Sequence, residues 1–199
     1  MFSGMASKVQ TSLSNKSSAV SAKAINSIIV PECKFKIVLV GDAGTGKSAF
    51  LKRHIHHDFT CNYTPTNGVD VYMLQIETKS HGLVTLDIWE ISGQEKHNDN
   101  IEYYMNSDAA IVFFDLTSKI SYFHARAWRS MVLDICPDIP IVICGNKVDI
   151  KDYRVVLPRN ITIARENSYY DISVKSCYNI DKPFYDLLGR LIPNIVYTD

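Results

Sequence analysis

The sequence predicts an α/β fold built around a mostly parallel β-sheet, and two observations lead to this prediction. From Lys34 onward, short apolar runs rich in β-branched residues alternate with helical patterns, as they do in successive βαβ units. These apolar runs are continuous, which is typical of strands that are covered on both faces. The chain has 199 residues, of which 46% are hydrophobic, so it is long enough to form one such domain with its own core.

Six strands and three helices are expected in chain order. A turn at Ser80-His81-Gly82 joins the second strand to the third, so the sheet contains one antiparallel strand. Helices lie on both faces of the sheet. The predicted strands are residues 35–40, 69–77, 83–89, 109–114, 139–144 and 169–172, and the predicted helices are residues 49–57, 121–135 and 182–192.

Apolar spacing predicts the buried face of two helices. In the second helix the buried residues are expected at four-residue spacing, at Phe123, Ala127, Met131 and Ile135. In the last helix they are expected at Phe184, Leu187, Leu188 and Leu191.

Charge is balanced over the chain, with 21 basic and 21 acidic residues. A protein that coats nucleic acid needs a surplus of basic residues, so no nucleic-acid partner is expected. No apolar stretch approaches the roughly 18 residues of a membrane-spanning helix. The five cysteines are widely spaced and form no CxxC motif, which favours reduced thiols in the cytosol or the nucleus.

The beginning of the chain differs in composition from the rest. It is rich in Ser, Ala, Lys and Asn, and residues 1–31 contain Lys8, Lys16 and Lys23 but no acidic residue. Residues 1–32 are therefore predicted to form a disordered, basic, Ser-rich extension. A transit peptide is the alternative, which the absence of arginine disfavours.

A glycine-rich loop between the first strand and the first helix matches the pattern GxxxxGK[ST]. Its backbone N–H groups can surround a β-phosphate at a helix N-terminus, its lysine can reach the β- and γ-phosphates, and its final hydroxyl can bind Mg²⁺. Strand, loop and helix occur in the required order, so this loop is predicted to bind nucleotide phosphates. It consists of Gly41, Asp42, Ala43, Gly44, Thr45, Gly46, Lys47 and Ser48.

A second motif indicates the base. Asn146-Lys147-Val148-Asp149 follows the strand at residues 139–144. The Asp149 carboxylate can accept hydrogen bonds from both N1–H and the amine of guanine, whereas adenine offers no such donor pair. The asparagine would tether the loop, and the lysine stem would stack on the ring. Ser173-Val174-Lys175 follows the last strand and can present a backbone N–H to the guanine O6, so GTP and GDP are the predicted ligands.

Together these motifs resemble those of the small Ras-type GTPases. The matching residues are 41–48, Thr66, 89–95, 146–149 and 173–175. The nearest branch is Ran, the nuclear-transport GTPase, which is similar over residues 93–96, 139–142, 144–152, 169–173 and 182–184. The resemblance implies a P-loop NTPase G domain over residues 33–194, followed by a short tail at residues 195–199.

The resemblance also implies catalytic roles. Thr66 would close on Mg²⁺ and the γ-phosphate, and Gln94 would orient the attacking water. Gly93 would sense the γ-phosphate through its N–H group. The implied catalytic set consists of Lys47, Thr66 and Gln94.

Further residues are implied to bind the cation and the nucleotide. Ser48, Thr66 and Glu90 form the implied Mg²⁺ site. Phe59 resembles the aromatic residue that packs on guanine, with a core or hinge position as its alternative, and Ala49 extends the phosphate loop into the helix.

Three positions depart from the family pattern. Glu90 stands where the family has an aspartate that holds the Mg²⁺ shell. Ala43 occupies a position that is often glycine, and its methyl group would approach the space of Gln94 and of an incoming arginine finger. Val174 replaces a usual alanine, with little expected effect because its backbone makes the contact. The first two departures predict slow GTP hydrolysis.

Two other functions are weighed against a GTPase switch. The first is a GTP-binding interaction scaffold with little or no hydrolysis, which Glu90 and Ala43 would produce. The second is a P-loop small-molecule kinase, which is disfavoured because no arginine-rich lid is evident and residues 146–149 would have no role.

The resemblance implies protein partners that read the switch loops. These partners are an exchange factor, a GTPase-activating protein and effectors of the transport-receptor type. The final residues contain no prenylation cysteine, so no lipid anchor is expected. A monomer in the nucleus and cytoplasm is predicted.

Overall fold

The structure is a computed structural model that describes residues 33–60, 65–94, 100–165 and 167–198. The predicted extension at residues 1–32 lies outside the described residues. The strands are β1 (Cys33–Gly41), β2 (Val69–Thr78), β3 (Gly82–Ile91), β4 (Ala109–Asp115), β5 (Ile141–Asn146) and β6 (Ser168–Asp171), and the helices are α1 (Lys47–His56), α2 (Lys119–Ile135) and α3 (Lys182–Leu191). Within these ranges no helix combines the length and apolar character needed to cross a membrane.

The six strands form one sheet in the order β2-β3-β1-β4-β5-β6. Strand β2 runs antiparallel to β3, and every other neighbouring pair is parallel. The turn between β2 and β3 contains Gly82 at a φ of 66°, a left-handed conformation that glycine adopts without strain. The prediction of a mostly parallel six-stranded sheet with one antiparallel strand is confirmed.

Helices cover both faces of the sheet. On one face, Phe50 of α1 and Phe184 of α3 pack with β1 residues such as Ile37. On the other face, Tyr122 of α2 packs with the neighbouring β1 residue Val38. Because successive side chains of a strand point to opposite faces, β1 contributes to both cores.

The prediction for the buried face of α2 is wrong at Phe123 and Ala127, which are exposed, whereas Met131 and Ile135 are partly buried and pack against the core. Phe123 is 65% exposed, whereas Tyr122, Ala125 and Val132 are buried. A residue four positions along a helix has turned about 40° beyond a full turn, so a strict four-residue spacing drifts around the axis. Spacings of three and seven residues keep the buried side chains on one face. In α3 the predicted residues Phe184, Leu187 and Leu188 are buried.

The last described residues lie against the turn between β2 and β3. Lys79 donates its backbone N–H to the carbonyl of Val196 at 2.8 Å, and Thr78 forms an antiparallel bridge with Tyr197. The Tyr197 ring also meets Tyr185 of α3 edge to face, with ring centroids 4.5 Å apart. This segment therefore connects the β2–β3 turn to α3.

Candidate nucleotide-binding site

A cavity of about 560 Å³ opens at the carboxyl ends of the parallel strands, where open α/β sheets bind their ligands. Most of the predicted site residues line it: Ala43, Gly44, Gly46, Lys47, Ser48, Ala49, Phe59, Thr66, Glu90, Gly93, Asn146, Lys147, Asp149, Val174 and Lys175. Lys52, Thr60, Ser92 and Ile150 also line it and were not predicted. The P-loop, the residues around Thr66 and both base-binding motifs therefore face one space.

The P-loop joins the end of β1 to the start of α1. Gly41 and Gly46 have φ values of 138° and 103°, so both adopt conformations that side chains rarely tolerate. A Cβ at Gly46 would lie 2.2 Å from the Asn146 amide nitrogen. Glycine is required there because the loop passes directly beneath Asn146. Lys47, Ser48 and Ala49 begin α1 and line the cavity, and the first N–H groups of a helix have no partner within the helix and suit a phosphate.

Lys47 is held inside the loop that it closes. Its ammonium donates to the carbonyls of Gly41 and Asp42 at 2.6 and 3.0 Å. Burial lowers the pKa of Lys47 to about 8, against the opposing effect of the negative charges of Glu90 and Asp42. A bound phosphate would supply the negative charge that this buried ammonium lacks.

Asn146 connects the P-loop to the second base-binding motif. Its amide nitrogen donates to the carbonyl of Thr45 at 2.9 Å, and its amide oxygen accepts from the N–H of Val174 at 3.2 Å. The side chain is 3% exposed, so neither bond competes with bulk water. One buried amide therefore fixes the distance between the phosphate and base ends of the cavity.

Ser173 orients the carboxylate expected to bind guanine. Its hydroxyl donates to Asp149 Oδ1 at 2.6 Å and accepts the N–H of Ser176 at 3.0 Å. Ser173 is fully buried and lies behind the cavity wall, whereas Asp149 lines the cavity. Ser173 therefore positions Asp149, the residue predicted to bind guanine.

Lys147 is placed by a second carboxylate, which the motif analysis missed. Its ammonium lies 2.6 Å from Asp115 Oδ2, while Asp115 Oδ1 accepts hydrogen bonds from the N–H and the hydroxyl of Thr117. Lys147 adopts a φ of 69° and lines the cavity. The ion pair holds the Lys147 ammonium beside Asp115, so the aliphatic stem of the lysine remains available to stack on a base.

Arg53 is a further residue that sequence reasoning missed. Its guanidinium donates to the carbonyls of Val174 and Lys175 at 3.3 and 3.2 Å. The same group lies 5.3 Å from the centre of the Phe59 ring, within cation–π distance. Phe59 lines the cavity and also packs against the core. Arg53 thus links α1, the aromatic wall and the loop of residues 173–175, which is predicted to face guanine.

The opposite end of the cavity brings Gly93 against the P-loop. A Cβ at Gly93 would lie 2.1 Å from the backbone nitrogen of Ala43 and 2.3 Å from the carbonyl carbon of Asp42. Any side chain would force the two segments apart. The predicted γ-phosphate sensor is therefore in direct backbone contact with the phosphate loop.

Oxygen atoms suited to Mg²⁺ converge beside Lys47. Ser48 Oγ lies 3.2 Å from Thr66 Oγ1, and the Ser48 hydroxyl donates to Glu90 Oε1. Burial raises the pKa of Glu90, although its hydrogen bond to Ser48 and the charge of Lys47 oppose the increase. The other carboxylate oxygen, Oε2, is buried and has no hydrogen-bond partner among the residues that the structure describes. Hydroxyl and carboxylate oxygens are ligands that Mg²⁺ accepts, so this donor set fits the ion.

Five predicted residues are not among those that line the cavity: Gly41, Asp42, Thr45, Ser173 and Gln94. Asp42 points towards α2, where its carboxylate accepts from Trp128 Nε1 at 2.9 Å and contacts His124 Nδ1 at 2.7 Å. Gln94 is exposed, and its N–H donates to the Ser92 hydroxyl. Glu95, which completes the Gly-Gln-Glu motif, lies outside the described residues.

The comparison with known families agrees with this geometry. A sequence model of the Ras family matches residues 36–192. The chain belongs to the Ras family. It is therefore a GTP-binding molecular switch and a small GTPase, and members of this family bind GTP or GDP with Mg²⁺. Ras-type GTPases generally interact with exchange factors, GTPase-activating proteins and effectors.

Proposed function

We propose that this protein is a Ran-like, Mg²⁺-dependent switch that binds GTP and GDP, hydrolyses GTP slowly and works in protein transport between nucleus and cytoplasm. The proposal that the protein binds GTP and GDP rests on the Asn146 amide. This amide is bonded to both the P-loop and the loop of residues 173–175, which lie at the phosphate and base ends of one cavity. Asp149 lines that cavity with its carboxylate fixed by Ser173. Guanine satisfies this acceptor with its paired donors.

Hydrolysis would proceed by in-line attack of water on the γ-phosphate. Mg²⁺, when bound, would neutralise charge on the phosphate oxygens and shield them from the attacking water's lone pair. Lys47 and the P-loop N–H groups would bind the β- and γ-phosphates, and Thr66 and Gly93 would close on the γ-phosphate. Gln94 would turn into the cavity to orient the water, which requires it to leave its exposed position.

Ala43 is the reason to expect slow turnover. This residue is exposed and lines the cavity directly beside Gly93. Its methyl group would occupy space on the path by which Gln94 and a partner's arginine reach the γ-phosphate. Removing that methyl should therefore speed hydrolysis, and we expect Ala43→Gly to raise the rate of single-turnover phosphate release. Ala127→Gly, at an exposed position of α2 that does not line the cavity, is the control and should leave the rate unchanged.

The same features support a second candidate function, a GTP-loaded interaction scaffold. Single-turnover release of phosphate distinguishes it from a working enzyme. A measurable rate that falls in Gln94→Leu supports the GTPase, whereas a zero rate in the parent protein, also with an activating protein present, supports the scaffold.

The Ran-like part of the proposal rests on sequence stretches in and beside the site. Residues 144–152 form the end of β5 and the guanine motif, and residues 169–173 lead into Ser173. Transport-receptor-type effectors would recognise the GTP form in the nucleus and release after hydrolysis in the cytoplasm. Pull-downs with the protein loaded with GDP or a nonhydrolysable GTP analogue test this. Transport receptors should be retained by the GTP form alone, and equal or absent retention contradicts the proposal.

Nucleotide selectivity tests the base assignment. Purified protein should retain labelled GDP and GTP against a large excess of ATP, and Asp149→Asn should lose much of this discrimination. Asp152→Asn, which changes a nearby aspartate in the short helix at Lys151–Tyr153, is the matched control and should keep it. Equal competition by ATP and GTP in the parent protein contradicts the proposal.

A further inference from the structure

Three side-chain oxygen atoms meet at the end of the cavity where the γ-phosphate is expected. The hydroxyl oxygens of Ser48 and Thr66 lie 3.2 Å apart, and Thr66 Oγ1 lies 3.4 Å from Glu90 Oε1. The Ser48 hydroxyl donates a hydrogen bond to the same carboxylate oxygen. Neighbouring ligands in an octahedral site with Mg²⁺–oxygen distances near 2.1 Å lie about 3.0 Å apart. Two of the three separations are therefore close to the edge of such an octahedron, and the third, between Ser48 Oγ and Glu90 Oε1, is shorter.

Within the part of the chain that the structure describes, the buried Glu90 carboxylate is bonded to hydroxyl groups and to no cationic side chain. Glu90 is 1% exposed, and among the described residues none forms a hydrogen bond with Oε2. The nearby ammonium of Lys47 is directed to the carbonyls of Gly41 and Asp42, at 2.6 and 3.0 Å. A buried carboxylate that is bonded only to hydroxyl groups is costly, and a directly bound cation would remove that cost.

The backbone prevents Glu90 from withdrawing. Glu90 lies in β3 between two paired strands, opposite Leu39 of β1 and Asp70 of β2. The strand cannot move back without breaking pairing on both sides. A glutamate is longer than an aspartate by one methylene group, or about 1.5 Å. The longer side chain therefore extends its carboxylate towards Ser48 and the expected position of the cation.

The geometry points to direct coordination of the divalent cation by a Glu90 carboxylate oxygen, in the same shell as Ser48, in place of one metal-bound water. This inference rests on the proposed function, because the cation is the one that accompanies the nucleotide. On cation binding, the Ser48 hydroxyl turns its proton away from Glu90 and presents a lone pair to the ion. With GDP bound and Thr66 released, the protein still supplies two ligands instead of one.

A paramagnetic probe tests this coordination in the full-length protein. Mn²⁺ is added to the GDP complex of protein labelled with ¹³C at the glutamate carboxyl carbons, and the ¹³C couplings are measured by electron–nuclear double resonance. A directly bound carboxylate places its carbon about 3 Å from the ion, whereas an intervening water places it beyond about 4 Å. Glu90→Asp is the test variant, and Glu77→Asp, at a glutamate of β2, is the matched control.

The parent protein and Glu77→Asp should show the strong short-range coupling, and Glu90→Asp should lose it. Counting metal-bound waters by line broadening in ¹⁷O-water should give one water fewer in the parent protein than in Glu90→Asp. Tight Mn²⁺ binding without a short-range coupling in the parent protein would overturn direct coordination and leave the proposed switch intact. A GDP complex that binds no Mn²⁺ would overturn both. The decisive measurement uses the unmutated protein, so misfolding of a variant cannot obscure it.

Discussion

Replacing Asn146 with alanine removes the amide that joins the phosphate and base ends of the cavity. The change leaves the carbonyl of Thr45 and the N–H of Val174 without their present partners, which lie 2.9 and 3.2 Å from the amide. Each buried backbone group left unpaired costs about 1–3 kcal/mol. Because water can enter the cavity and bond part of the exposed backbone, the lower half of the combined range applies, about 2–4 kcal/mol. The free protein can relax so that water pairs these two groups, whereas bound GDP requires the present geometry. The energy therefore corresponds to a loss of GDP affinity of roughly 30- to 1,000-fold.

Dissociation of a fluorescent GDP analogue, measured against excess unlabelled GDP, gives this loss directly. Asn167→Ala is the control, because Asn167 makes one local bond to the carbonyl of Ile163 away from the cavity. Its affinity for GDP should stay within about twofold of the parent protein. If Asn146→Ala and Asn167→Ala release GDP at equal rates, the buried amide does not hold the site together and the reasoning is refuted.

Three other substitutions test separate contacts of the site. In Gly93→Ala the new methyl would collide with the P-loop backbone, 2.1 Å away in the present structure, so binding of a GTP analogue should weaken about tenfold more than binding of GDP in parallel titrations. Asp115→Asn weakens the 2.6 Å ion pair to Lys147. Because that lysine is partly exposed, the free energy of GDP binding should weaken by only about 1 kcal/mol, which gives roughly fivefold faster GDP release. An unchanged release rate counts against a positioning role for Asp115. Trp128→Phe removes the hydrogen-bond donor to Asp42. We expect a Tm lower by about 2–4 °C with unchanged GDP affinity. A large loss of GDP affinity would contradict a purely structural role for the bond between Trp128 and Asp42.

The motifs could be located from sequence because their chemistry depends on contiguous backbone. The P-loop needs glycines at fixed intervals between a strand and a helix, and the base-binding motif that begins at the last residue of β5 needs an amide and a carboxylate three positions apart. Both requirements are visible in a single stretch of chain. Gly41 and Gly46 have positive φ values, and Asn146 donates to the carbonyl of Thr45 in the P-loop, as a tether between the two motifs requires.

Supporting contacts between distant residues could not be read from the sequence. Arg53 reaches carbonyls more than 120 positions away, and Asp115 meets Lys147 only because β4 and β5 are neighbours in the sheet. The buried face of α2 was misjudged for a related reason, since exposed Phe123 is as apolar as the core residues. Its exposure depends on how the helix is rotated against the sheet, which local spacing does not determine.

Hydrogen exchange of the protein loaded with GDP or with a nonhydrolysable GTP analogue tests the central claim, that the γ-phosphate switches two loops of this chain. The GTP analogue should slow exchange in peptides that contain Thr66 and Gly93, while the peptide of residues 173–175 should exchange equally in both states because both nucleotides carry guanine. Identical exchange around Thr66 and Gly93 in the two complexes would contradict the account, since the bound phosphate would then leave the partner-reading loops unchanged.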